Sequence, residues 1–276
     1  MVVFLGFSRQ RTLGEIMRVN DIDIAYDDEG DGVPVLLVHG HPFNRTMWRP
    51  QVARLRSRYR VIAPDLRGYG ETTVVPGTTP WGAFADDLIG LLDRLDLDRV
   101  VVCGLSMGGQ IAMELHRAHP SRVRALVLAD TFPEADPTAA RDLRRELASR
   151  VLREGMGPYA DEVLDKMISP HNVVALPAVA EHVLGMMRGT SPEGAAAGWR
   201  GRAERPDYAD SLSRVAVPAL VVVGEEDEYT PVAVAERMHA TIPGSTLAVI
   251  AGAGHLPNLE RPAEFTDAIE RFLLTL

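Results

Sequence analysis

The chain has 276 residues, and 29 Lys+Arg against 38 Asp+Glu give it a formal charge of −9. That balance argues against nucleic acid or an anionic membrane as partner, since either selects a net positive surface, and no stretch approaches the ~20 apolar residues of a membrane span. Cys103 is the only cysteine and Lys166 the only lysine, which removes internal disulfides, cysteine-rich metal sites and most Schiff-base or P-loop chemistry.

In chain order, the segment Met1 to Phe7 is too short, and lacks the basic start, for a secretory signal, so a cytoplasmic protein is expected. Residues 15–19 and 22–26 flank Asn20-Asp21 and predict an antiparallel hairpin at one sheet edge. Short apolar runs then recur at 35–38, 61–63, 100–102, 125–128, 219–223 and 247–250, the pattern of strands buried on both faces. Helical stretches fall between them at 48–57, 83–95, 107–116, 232–240 and 263–274. Such alternation predicts an α/β fold with a mostly parallel sheet covered by helices on both sides. It stops after Asp130 and resumes near residue 217, which divides the chain into a core of 1–130 and 217–276 and an all-helical insertion of 131–216. Within the insertion, Leu143, Leu147 and Val151 form an i, i+4, i+8 stripe that predicts a buried face, with Arg141, Arg144, Arg145 and Arg150 on a solvated one. Val179, Val183, Met186 and Met187 repeat the pattern in a second helix.

The chemistry centres on Gly104-Leu105-Ser106-Met107-Gly108, a G-x-S-x-G run between a predicted strand and a predicted helix. That context holds a serine on a tight bend at the carboxyl end of the sheet. A serine hydroxyl needs a base, itself oriented by a carboxylate. His255, in Ala251-Gly252-Ala253-Gly254-His255 after the last strand, is the best placed base. His116, His119, His171, His182 and His239 lack a partner pattern, and a His39/His41 metal pair lacks a third ligand. Asp227, just past the 219–223 strand, is the expected acid, with Asp130 as its rival. Backbone donors for a developing oxyanion are expected from Met107 N–H and from His41 N–H, with Phe43 behind it, because Pro42 has none. Glu260 reads first as a carboxylate at a helix start.

Together His39-Gly40-His41-Pro42, Asp65-Leu66-Arg67-Gly68-Tyr69-Gly70, Gly104 to Gly109, Gly224 to Asp227 with Pro231, and Gly254-His255 resemble the α/β-hydrolase superfamily over nearly the whole chain. Among its members the resemblance is to small bacterial carboxylesterases, enol-lactone hydrolases and cofactor-free haloperoxidases. It implies an α/β-hydrolase fold of eight mostly parallel strands, a helical cap after strand six and a Ser106-Asp227-His255 triad. A serine at 106 departs from epoxide hydrolases and haloalkane dehalogenases, which place an aspartate there. The expected activity is hydrolysis of an ester or lactone through an acyl-enzyme on Ser106. A carbon–carbon bond hydrolase, a lyase or cyclase, and a ligand receptor with a retained triad are the alternatives on the same scaffold. Phe43, Tyr159, Met186, Met187 and Trp199 are the expected substrate contacts, although cap packing explains the same apolar residues. No metal and no organic cofactor is implied. The expected partner is a small-molecule substrate, and a homodimer is compatible with the sequence.

Overall fold

The structure, a computed structural model, describes residues 12–276, so the reading of Met1 to Phe7 lies outside the described residues. Strands β1 (Thr12–Val19) and β2 (Ile22–Glu29) form the predicted hairpin, turning at Asn20 with φ 51°. Strand β3 (Val33–Val38) follows, then α1 (Arg49–Leu55), whose Pro50 suits a first helical turn. The alternation continues with β4 (Tyr59–Pro64), α2 (Trp81–Arg94), β5 (Val100–Leu105), α3 (Met107–Ala118) and β6 (Val123–Ala129). Six helices then intervene: α4 (Thr138–Glu154), α5 (Gly157–Met167), α6 (Pro170–Ala175), α7 (Pro177–Gly189), α8 (Pro192–Ala203) and α9 (Ala209–Leu212). The core resumes with β7 (Ala219–Gly224), α10 (Val232–Thr241), β8 (Thr246–Ile250), α11 (Pro257–Glu260) and α12 (Pro262–Leu273). The eight strands lie in the order β1-β2-β4-β3-β5-β6-β7-β8, parallel from β4 to β8.

Successive strand residues point to opposite faces, so each strand feeds two cores. Leu36, Val102, Leu126 and Val221 pack with α2, α3 and α10, while Leu37, Val101, Val127 and Val222 pack with α1 and α12. The insertion docks through α8, whose glycines meet core backbone and a core tyrosine. A Cβ at Gly194 would lie 1.8 Å from the Gly68 carbonyl oxygen, one at Gly198 2.2 Å from Tyr69 Oη, and one at Gly201 1.9 Å from the Thr79 carbonyl oxygen. Only a helix without side chains on that face can approach so closely.

Two details of the insertion differ from expectation. Leu143, assigned to the buried stripe of α4, is 54% exposed; Val151 of that stripe is buried as expected, and Ala148, outside it, is buried beside Val151. Arg144, assigned to the solvated face, is drawn inward by the buried carboxylate of Asp136, with which it forms an ion pair. In both cases the helix is rotated toward α8, where Ala148, Val151, Ala195, Ala196 and Trp199 share one apolar cluster.

Candidate active site

The carboxyl ends of parallel strands are where ligands meet this kind of sheet, and the chemistry-bearing residues gather there. Ser106 follows β5 directly and has φ 56° and ψ −115°, a left-handed backbone that a serine holds only under constraint. The constraint is visible: Ser106 N–H donates to the Ala129 carbonyl at 2.9 Å, and its own carbonyl accepts from Thr131 Oγ1 at 2.8 Å. The flanking glycines let the chain pass. A Cβ at Gly104 would fall 2.2 Å from the Gly108 carbonyl oxygen, and one at Gly108 2.1 Å from that of Val38.

His255 lies past β8, and its Nδ1 is 2.8 Å from Asp227 Oδ2. The other oxygen of Asp227, Oδ1, accepts the Tyr229 N–H at 2.8 Å and the Thr230 N–H at 3.0 Å. Burial alone would raise this carboxyl, but the His255 charge and hydrogen bond, with the Thr230 N–H, outweigh it and hold the group below its usual value. The loop bearing His255 is tied down by Glu260, which is 2% exposed and accepts N–H bonds from Gly254 at 2.9 Å and from Ser169 at 2.9 Å, plus Asn172 Nδ2 at 2.7 Å. This bridge from the His255 loop to the helical insertion goes beyond the helix-start role expected for Glu260.

Asp130, after β6, is 1% exposed and receives the Gly224 N–H on Oδ1 at 2.8 Å, leaving Oδ2 without a donor among the described residues. Burial first, and then the charge of Asp227, push its carboxyl well above the ordinary range. Asp130, Asp227 and His255 offer ligating atoms within 4.8 Å of one another, the one such group among the described residues. Within it Asp227, not Asp130, makes the hydrogen bond to the ring.

Ser106 and His255 open onto one cavity of about 530 Å³, between the strand ends and helices α4, α5 and α8. His41, Tyr159 and Trp199 line it too, with the His41 and Trp199 rings 4.3 Å apart and Tyr159 edge-on to Trp199 at 5.0 Å. Phe43, Met186 and Met187 do not line it. They are buried in the apolar layer shared by α1, α7 and the β3 side of the sheet, where side-chain volume rather than substrate fills the space. Neither Met107 N–H, at the first turn of α3, nor His41 N–H donates to any described residue. The Phe43 N–H is spent on the Gly40 carbonyl at 3.1 Å, so it is not free as a second-choice donor. Sequence reasoning missed Gln110, Asp136, Arg144 and Arg202, all on the cavity wall; Gln110, one turn after Ser106 on α3, had a signal in its spacing, whereas Arg202 had none among so many arginines.

The strand order, the strained serine and the aspartate-histidine pair together define an α/β hydrolase, and the chain belongs to that family: the α/β hydrolase family model matches residues 35–268. Among solved structures it is similar to an esterase from Thermogutta terrifontis, 42% identical over 96% of this chain and 98% of that one, with a TM-score of 0.92. It is also similar to the enol-lactonase of Burkholderia xenovorans LB400, 27% identical over 94% of this chain and all of that one, with a TM-score of 0.88. The 3-oxoadipate enol-lactonase 2 of Acinetobacter baylyi is 29% identical over 93% of this chain and 95% of its own length.

Proposed function

We propose that the chain is a serine hydrolase of carboxylic esters or lactones that works through an acyl-enzyme on Ser106. The observation that carries this reading is the Asp227 Oδ2 to His255 Nδ1 contact of 2.8 Å, made by a histidine that shares its cavity with a serine on a strained bend. With Nδ1–H committed to Asp227, the Nε2 lone pair is the free base. His255 takes the Ser106 proton as Oγ attacks the carbonyl carbon, and the tetrahedral oxyanion is held by the N–H groups of Met107 and His41. The imidazolium then protonates the leaving alkoxide. Water, deprotonated by the same ring, attacks the acyl-enzyme and releases the acid and Ser106. Asp227 stays ionised and stabilises the imidazolium. In this reading residues 131–216 act as a cap over the 217–276 and N-terminal core, and Tyr159 and Trp199 shape the substrate space. The esterase and enol-lactonase relatives support the same bond class.

Intact mass after treatment with a small fluorophosphonate tests the reading. A single adduct is expected, absent from Ser106→Ala and strongly slowed in His255→Ala. An adduct that persists in Ser106→Ala refutes the serine assignment. No adduct, together with no turnover across ester and lactone panels, favours a receptor on this scaffold.

A further inference from the structure

Three buried side chains on the cavity wall carry nitrogen atoms with no hydrogen-bond partner among the described residues. Arg202, on α8, is 9% exposed, and its single hydrogen bond among the described residues runs from Nε to Oε1 of Gln110 at 2.8 Å. Among the described residues no carboxylate lies within ion-pair distance of its guanidinium. Because arginine only donates, the Gln110 oxygen must be the atom that faces it, which leaves the Gln110 Nε2 amide without an acceptor. His41 Nε2 is likewise without a partner among the described residues, and in the tautomer whose Nδ1 accepts from Tyr69 Oη at 2.8 Å this Nε2 carries the N–H. All three residues line the cavity that Ser106 and His255 share.

The charged neighbours on the same wall do not answer this need. Asp136 is bound by Arg144, and Glu162 by Arg150 through Nη1 at 2.8 Å. Lys166 is itself a cation. The raised carboxyl of Asp130 favours its neutral form, and Asp227 faces His255. Burial first, and then Arg144 and Arg205, act against the charge on Arg202, and the smaller opposing effects of Asp136 and Tyr159 do not reverse the balance. A guanidinium does not give up its proton in a protein, so the charge stays and an entering anion relieves it. A fixed cation beside an amide donor suits a carboxylate, whose oxygens only accept.

We propose that Arg202, Gln110 and His41 form an anion subsite, and that the substrate is an ester or lactone bearing a free carboxylate. For the reaction this rests on the serine-hydrolase reading; for binding it does not. Gln110 N–H is 3.2 Å from the Ser106 carbonyl, so Ser106 and Gln110 stand one turn apart on α3 and open onto the same cavity. Half-esters of short dicarboxylic acids, which carry a carboxylate and an ester carbonyl on one chain, are the probes for that arrangement.

The test compares kcat/KM for ethyl hydrogen glutarate and ethyl hydrogen adipate with ethyl pentanoate and ethyl hexanoate. The acid-bearing member of each pair is expected to lead about 10- to 100-fold, the range of a charge-assisted hydrogen bond. Arg202→Met removes that lead and Arg202→Lys restores part of it. A ratio at or below one in the unsubstituted chain overturns the subsite and leaves the serine reading standing. If no ester turns over, calorimetric titration of glutarate and adipate into Ser106→Ala decides alone. Saturable binding of the dianions, with pentane-1,5-diol and hexane-1,6-diol at least about tenfold weaker, supports the subsite. No binding, or diols bound as tightly, overturns it.

Discussion

Replacing Asp227 by asparagine changes one atom and, by the geometry of its neighbours, reverses the chemistry of His255. The Tyr229 and Thr230 N–H groups both donate to Oδ1, at 2.8 and 3.0 Å. An asparagine that turned its NH2 toward them would face two buried donors at once, at about 1–3 kcal/mol each. Its oxygen therefore stays at the Oδ1 position, and its NH2 occupies the Oδ2 position 2.8 Å from His255 Nδ1. The imidazole is the softer partner, because its tautomer is set by whatever its other nitrogen meets. Nδ1 becomes the acceptor, the proton moves to Nε2, and the ring presents a donor to Ser106 where a base is needed. On this reasoning kcat for a short-chain ester should fall about 10⁴-fold, or about 5 kcal/mol in the barrier. Steady-state kinetics of Asp227→Asn at pH 7.5 reads the loss, and nitrogen NMR of the His255 ring reads the tautomer. Activity within tenfold of the parent chain, with the proton still on Nδ1, refutes the argument and transfers the acid role to Asp130.

Asp130→Asn tests the other carboxylate. Its raised native value means that the stability linked to its protonation is complete below about pH 4 and is lost as pH rises through the native value. Asparagine never ionises, so urea unfolding should show the variant gaining on the parent between pH 5 and pH 8, by up to about 1.4 kcal/mol per pH unit; a gap independent of pH contradicts this. Gly108→Ala places a Cβ 2.1 Å from the Val38 carbonyl oxygen and 2.7 Å from that of His39. Both are backbone atoms that cannot swing aside, so a loss of about 3 kcal/mol or more is expected in urea unfolding. The exposed Gly185 of α7 meets nothing within 4 Å, and Gly185→Ala should stabilise by about 0.5–1 kcal/mol in the same assay. Glu260→Ala orphans the Gly254 and Ser169 N–H groups and one N–H of the Asn172 amide, whose other N–H stays on the Gly252 carbonyl. A stability loss of about 3 kcal/mol or more should accompany a fall in kcat, since Gly254 precedes His255; a full loss of stability with unchanged kcat refutes the positioning role.

The alternation of β-branched runs and helices made the sheet legible in advance, because strands buried on both faces have little choice of residue. The serine bend was legible for a similar reason: Gly104 and Gly108 are required by backbone contacts closer than any Cβ allows. The cavity wall was not. Met186 and Met187 have the composition of a pliable pocket, yet the azimuth of α7 turns them into packing. Arg144 has the spacing of a solvated face, yet Asp136, in the loop before α4 and outside the helical period, pulls it inward. Arg202 lies in a helix of alanines and glycines with no apolar stripe to orient it, so nothing local marks it as facing the cavity. Such residues are placed by tertiary docking, which a one-dimensional pattern does not encode.

The docking of α8 also divides the insertion into parts with different freedom to vary. Its glycine side rests on the Gly68 carbonyl, Tyr69 and the Thr79 carbonyl, so almost any replacement at 194, 198 or 201 forces the helix off the core. Trp199 and Arg202 ride on that helix and are therefore registered to Ser106 as firmly as the strands are. Helices α4 to α7 carry no such restraint from glycine contacts. A graft that exchanges the insertion up to Thr190 and keeps α8 should preserve the geometry beside Ser106, whereas one cut at the boundary of β7 should lose it. If the insertion acts as the proposed cap, the seam for recombining substrate range in this scaffold runs inside it, before α8, and not at its outer edge.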